Sequence, residues 1–232
     1  MTTTVRLLAL SAGLSTPSST RMLTDQLTRE SAAALGRDGS EVEVEVRTIE
    51  LREYAHDITD ALLTRFPGER LAMVVEQIRA ADAVIAVTPI FNVGASGLFK
   101  MFFDALDVEL WARKPVLLGA TAGTARHSLA IDYAIRPLFG YLRSEVVPTA
   151  VFAASSDFGA DTEGQADEQP LTARVRRAAA ELATMLRSGL GEAAAAADEA
   201  EDQPGQERAP RGSSLDAEFS DFVPMGTLLG RD

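Results

Sequence analysis

The run AVIAVTPIFNVGASGLFK, Ala83 to Lys100, contains the plan of the whole chain in one unit. Ala83–Thr88 is apolar without interruption, as a strand covered on both faces requires. Pro89, Gly94 and Gly97 then break the run, and apolar residues return at helical spacing from Leu98 to Leu110. Strand, turn-rich loop and helix make one βα unit, and the same order recurs on both sides of it. Upstream, Val5–Ser11 (VRLLALS) is a short apolar strand, Thr20–Leu35 a helix with Met22, Leu23, Leu27 and Ala34 at helical spacing, and Glu69–Ala80 a second helix. Downstream come a strand at Pro115–Ala120, a helix at Ser128–Leu142, a fifth strand at Glu145–Ala153 and a last helix at Leu171–Leu190. Glu41–Glu50, EVEVEVRTIE, differs from the other strands: charge and valine alternate with period two, which marks one wet face and a place at the sheet edge.

Five strands alternating with helices, four of them of buried type, imply a parallel sheet covered on both sides. With the second strand at an edge, the order is 2-1-3-4-5. That is an α/β, flavodoxin-like, three-layer αβα sandwich on a five-stranded parallel sheet. The composition agrees: 232 residues, 46% hydrophobic and 24% charged, enough for a sizeable core. Absence of cysteine excludes disulfides, thiolate metal sites and thiol catalysis, and two histidines exclude a His-rich metal centre. A net charge of −12 argues against nucleic acid. Val5–Leu10 is too short for an export signal and no apolar run is long enough to span a membrane, so a cytoplasmic protein is expected.

Charge divides the chain. Residues 1–156 carry a net −3 and residues 157–232 a net −9. We expect a flavodoxin-like domain over residues 1–190, then a mobile acidic Ala/Glu/Pro-rich tether ending in an apolar docking segment over 191–232. Gly191–Arg211 reads GEAAAAADEAEDQPGQERAPR. Apolar residues then return as Phe219, Phe222, Val223, Met225, Leu228 and Leu229.

In such a sheet, ligands bind beyond the carboxyl ends of the strands where the order reverses, here between strands one and three. Three loops meet there. SAGLSTPSSTR, Ser11–Arg21, offers many hydroxyls, Gly13 and a helix N-terminus, the makings of a phosphate cradle or, more plainly, of a helix cap at Ser18, Ser19 or Thr20. It is neither a Walker loop nor GxGxxG. TPIFNVGASGLFK, Thr88–Lys100, places Ile90, Phe91 and Val93 beside proline and glycine, which suits a flat ring with a hydrogen-bonding edge. ATAGTARH, Ala120–His127, flanks the same point.

Together these segments resemble the NAD(P)H-dependent FMN reductases of the flavodoxin-like superfamily. They are most similar to reductase components of two-component flavin monooxygenases, the alkanesulfonate-monooxygenase type. TPIFNVGASGLFKMFFDAL resembles that family's flavin-ring loop and helix, and ATAGTARHSLAIDYAIRPLF its fourth loop. The ending FSDFVPMGTLL resembles that of actinobacterial members paired with luciferase-like monooxygenases. The resemblance implies FMN and NADPH (or NADH) as cofactors, with the FMN phosphate near Ser11, Ser18, Ser19 and Thr20. It places the ring against Pro89, Ile90, Phe91, Asn92 and Val93, beside Thr121, Ala122, Gly123 and Thr124. It further implies a homodimer or homotetramer and a monooxygenase partner. STPSST replaces the family's usual arginine-containing loop, Ala122 a common glycine and Phe91 a frequent tyrosine.

The implied reaction is hydride transfer to FMN with release of reduced flavin. Backbone N–H groups near Asn92 or Gly123 would steady the charge, and no catalytic side-chain acid or base is needed. The alternatives are a quinone or azo reductase on the same fold, or an FMN electron carrier. His127 is read as a capping or packing group and Arg126 as solvated. Asp132 and Arg136 are read as a helical ion pair, the Phe99–Phe103 stripe as core or dimer interface, and Lys100 as solvated.

Overall fold

The structure, a computed structural model, describes residues 3–37, 42–159 and 169–201, the stretch 190–201 by its backbone alone. By backbone contacts the chain divides into two units, Met1–Gly191 and Glu192–Asp232, and the sheet belongs to the first.

Strands β1 (Thr3–Ser11), β2 (Val42–Glu50), β3 (Ala83–Phe91), β4 (Gly94–Ala95), β5 (Pro115–Ala122), β6 (Glu145–Val146) and β7 (Val151–Ala154) form one sheet. Its path is β2-β1-β3-β5-β6, with β7 also on β5 and every pairing parallel except the β3–β4 hairpin. The flavodoxin-like order therefore holds with seven strands rather than five. Two causes account for the difference. Ile90 and Phe91 turn back on Ala95 and Gly94, which creates β4. Pro148, unable to donate to a ladder, lies between β6 and β7 and splits the expected fifth strand.

The helices are α1 (Ser19–Leu35), α2 (Ala55–Thr64), α3 (Glu69–Ala80), α4 (Gly97–Asp104), α5 (Arg136–Tyr141) and α6 (Leu171–Glu201). Alternate strand residues serve opposite faces. Leu7, Ala9, Ile85, Val87 and Leu117 pack on α1 and α6, through Leu23, Leu27, Val175 and Leu182. Leu8, Leu10, Val84, Ala86 and Leu118 pack beneath α2 to α5. There Phe99, Phe102, Phe103, Phe139 and Trp111 form a buried aromatic cluster, with Phe103 and Trp111 ring centres 4.6 Å apart. The phenylalanine stripe is core. On β2, which among the described residues pairs with β1 alone, Val42 and Val44 are half-buried and Val46 is exposed, as an edge strand allows.

Several expected boundaries move. The helix expected to Leu110 stops at Asp104, and a 3₁₀ turn follows at Val108–Leu110. The helix expected over 128–142 is a 3₁₀ turn at Ala125–His127, a π-helical turn at Ile131–Ile135 and then α5. Arg136 N–H reaches the Ile131 carbonyl, and Pro137 has no N–H to give to the preceding turn. The last helix runs to Glu201 instead of ending at Leu190. Its extension, GEAAAAADEAE, is mostly alanine and glutamate, both strong helix formers, so the first part of the stretch read as tether is helical. The rest of that stretch, and the apolar ending, lie outside the described residues.

Candidate functional site

A cleft of about 350 Å³ opens at the carboxyl ends of β1, β3 and β5, where the strand order reverses. Its walls are Leu14, Ser15, Ser18, Ser19 and Thr20 from the β1–α1 loop, Pro89, Ile90 and Phe91 from the end of β3, Thr121, Ala122 and Gly123 from the end of β5, and Ser155 after β7. Other clefts open elsewhere among the described residues. One, of about 230 Å³, lies by Arg6, Glu45 and Glu76 under the C-terminal end of α3, away from the carboxyl ends. Another, of about 400 Å³, lies between the Ala125–Ser128 turn and the start of α6.

The first wall is built by close approach. Ser18 is the N-cap of α1, its Oγ accepting the Arg21 N–H at 3.2 Å. That hydroxyl leans onto Gly13: a Cβ there would lie 2.1 Å from Ser18 Oγ, so only glycine leaves the cap in place. The cap occupies one orphan N–H of the helix start. The N–H groups of Ser19 and Thr20 have no acceptor within the helix and stand at the positive end of its dipole. Thr20 is buried and its hydroxyl meets that of Thr121 at 2.8 Å, which ties the first loop to the third.

The second wall is a stapled hairpin. Thr88 Oγ1 accepts the Ser96 N–H at 3.1 Å, and Ser96 Oγ caps α4 by accepting the Phe99 N–H at 3.3 Å. Between them, Asn92 (φ 48°) and Val93 (φ 70°) make the turn, both in the left-handed region that a two-residue hairpin of this kind demands. For a β-branched residue such as Val93 that conformation is strained. Phe91 is 46% exposed and Val93 66%.

Of the residues anticipated from sequence, Ser18, Ser19, Thr20, Pro89, Ile90, Phe91, Thr121, Ala122 and Gly123 line this one cleft. Ser11 is buried at the end of β1, Asn92 and Val93 stand at the exposed hairpin tip, and Thr124 is exposed beyond Gly123; none of the four lines it. Ser15, one of the hydroxyls of the first loop, lines it too, as do Leu14 and Ser155, which the sequence did not point to individually. Ser155 follows the last strand, so the rule that ligands meet strand carboxyl ends points to it as well. Arg126 is exposed and His127 half-buried in the turn beyond. Asp132 and Arg136 pair at 2.9 Å, and Arg136 also donates to the Val147 and Pro148 carbonyls. Lys100 pairs with Asp104 on the surface.

Among the described residues no charged side chain lines the cleft, and no group of three potential metal ligands occurs anywhere. Among the described residues no helix is long and apolar enough to cross a membrane. The volume lies within the range of small-molecule sites. Ser15, Ser18, Ser19 and Thr20 bring hydroxyls beside the α1 N–H groups, and Leu14, Pro89, Ile90 and Phe91 bring apolar surface.

Fold and site together define a flavodoxin-like α/β protein with a small-molecule cleft at the switch point of its sheet. The chain belongs to the family of NADPH-dependent FMN reductases, which it matches over residues 5–159. It is 33% identical to the FMN reductase (NADPH) of Pseudomonas aeruginosa over 192 residues, 83% of this chain and 97% of that protein. It is 32% identical to the NADH-dependent FMN reductase SfnF of Pseudomonas fluorescens over 190 residues, 82% and 96% of the two chains. An oxidoreductase from Corynebacterium diphtheriae superposes with a TM-score of 0.72 at 42% identity, covering 80% of this chain and 98% of that one.

Proposed function

We propose that the chain is an NAD(P)H-dependent FMN reductase that supplies reduced flavin to a monooxygenase. The observation that carries this reading is the convergence of the three loops on one cleft, lined by hydroxyls at a helix start and by the apolar Leu14, Pro89, Ile90 and Phe91, in a chain of this family. Ser18, Ser19 and Thr20, with the first N–H groups of α1, suit the FMN phosphate; Gly13 keeps the space into which Ser18 folds. Leu14, Pro89, Ile90 and Phe91 suit the ring, with Thr121, Ala122 and Gly123 along its edge. Asn92, Val93 and Thr124 border the opening, and Ser11 supports the loop from below. When bound, FMN would supply the acceptor for the hydride of NAD(P)H, held by the residues just named. With no ionisable side chain among the lining residues, the protein's part is to hold the rings in register and to exclude water from one side.

NADPH and NADH both remain within the proposal, because the two Pseudomonas relatives are named for different nucleotides. Exposed Phe91, Val93, Leu129 and Tyr133 form apolar surface that supports a homodimer or homotetramer. We further read residues 191–232 as an accessory segment whose apolar end docks on the monooxygenase, and the protein as cytoplasmic. The test is anaerobic mixing of catalytic amounts of protein with excess FMN and NADPH or NADH, for the full chain and a chain ending at Glu201. Both chains are expected to bleach the flavin over many turnovers, with only the full chain coupling well to a luciferase-like monooxygenase. Bleaching limited to one equivalent would refute release of reduced flavin. Loss of bleaching on truncation would place the tail in the site.

A further inference from the structure

The flavin phosphate proposed for this cleft carries up to two negative charges, yet the cleft walls hold no cation. The nearest guanidinium to touch the β1–α1 loop comes from another element. Arg52 stands in the 3₁₀ turn Leu51–Tyr54 that follows β2. Its Nη1 donates to the Ser15 carbonyl at 3.1 Å and to the Thr16 hydroxyl at 2.5 Å. Its Nη2 pairs with Glu50 Oε2 at 2.7 Å. The other oxygen of Glu50 binds Arg21 Nη1 at 2.6 Å, and Arg21 Nε binds Asp25 at 2.8 Å. The Arg21 guanidinium is thus held between two carboxylates and bonds no loop atom. Arg52 shares one carboxylate and spends its other nitrogen on the loop, one residue of which, Ser15, lines the cleft.

We infer that Arg52 is the positioning residue for the anionic end of the ligand: it fixes Ser15 and Thr16 at the cleft mouth and brings a positive charge to Ala12–Ser18, a stretch with no charged side chain. The inference rests on the proposed flavin site and adds to it the origin of selectivity for phosphorylated flavin. A cation delivered from the end of β2 acts from behind the loop backbone, and Glu50 aims it. A charge so placed acts on the phosphate and not on the ring, so it separates FMN from riboflavin, which differ only in that group.

The experiment is fluorescence titration of the full-length protein with FMN and with riboflavin at low and moderate salt, for wild type, Arg52→Ala and Arg52→Lys, with thermal unfolding of each. Wild type is expected to prefer FMN. Arg52→Ala is expected to weaken FMN about tenfold, leave riboflavin within about twofold and flatten the salt dependence of FMN binding. Arg52→Lys, which keeps charge without the planar fork, is expected to retain most of the preference. Equal losses for both flavins would make Arg52 a loop staple only and overturn the inference, as would unchanged FMN binding in folded Arg52→Ala. Should Arg52→Ala not fold, loss of the FMN preference in folded Arg52→Lys would overturn it and retention would support it. Failure of wild type to bind either flavin would defeat the proposed function itself, a result distinct from all of these.

Discussion

Replacing Gly13 by alanine separates the stability of the fold from the integrity of the cleft. The new Cβ would lie 2.1 Å from Ser18 Oγ, 3.2 Å from Ser18 Cβ and 3.1 Å from Thr20 Cβ. Ser18 must rotate away, and α1 loses its side-chain cap, which costs about 1 kcal/mol. Against that, alanine restricts the unfolded chain and returns about 0.4–1 kcal/mol. The two effects nearly offset, so the unfolding midpoint is expected to fall by no more than about 4 °C. No such compensation exists in the cleft. A hydroxyl bond to a charged oxygen contributes about 1.5–3 kcal/mol, so displacing Ser18 is expected to weaken FMN by about 10- to 100-fold. Thermal unfolding and FMN titration of the same preparations measure both. Gly68→Ala is the binding control: Gly68 caps α3, does not line the cleft, and a Cβ there meets nothing within 4 Å, so FMN binding should not move. A folded Gly13→Ala protein that binds FMN like wild type would refute the placement of the phosphate against Ser18.

Three further outcomes are expected. Val93→Gly removes a β-branched residue from φ 70° and completes an Asn-Gly turn, so stability should rise by about 1 kcal/mol in denaturant titration; a loss would mean that the Val93 side chain has a packing role. Thr20→Val and Thr121→Val should each cost about 1–3 kcal/mol by stranding the other buried hydroxyl, and the double variant clearly less than the sum; strict additivity would deny the pair. Lys114, one of two lysines in the chain, donates to the Ala81 carbonyl, and burial lowers its pKa below the ordinary 10.5 while Asp82 partly restores it. Below the folded pKa both states are protonated and the cost of burying the cation is complete. That cost is relieved as pH rises toward 10.5, so stability should gain across this window. Carbon NMR of labelled lysine, with Lys114→Met for assignment, checks it; titration at or above 10.5 would contradict the burial.

What was legible in the chain followed from local periodicity. EVEVEVRTIE announced an edge strand because period two is unmistakable, and the uninterrupted runs at Val5, Ala83 and Pro115 announced buried ones. Those strands located the cleft, since ligand position follows from strand order. The short helix α2 was missed because Ile58 and Ala61 are its only buried residues, too few to make a stripe. The π-helical turn before Pro137 and the extension of α6 had local causes, a proline and an alanine run, that hydrophobic periodicity does not register. Arg52 is of another kind: its contacts with Ser15 and Thr16 span 36 or 37 residues, and only the pairing of β1 with β2 brings them together.

The most direct test of the whole is aerobic oxidation of NADPH and of NADH by purified protein, with and without added FMN, alongside its visible spectrum. A reductase that releases its flavin should be pale and should oxidise at least one nucleotide at a rate that rises with FMN and saturates. Oxidation that ignores added FMN, or none with either nucleotide, would contradict it.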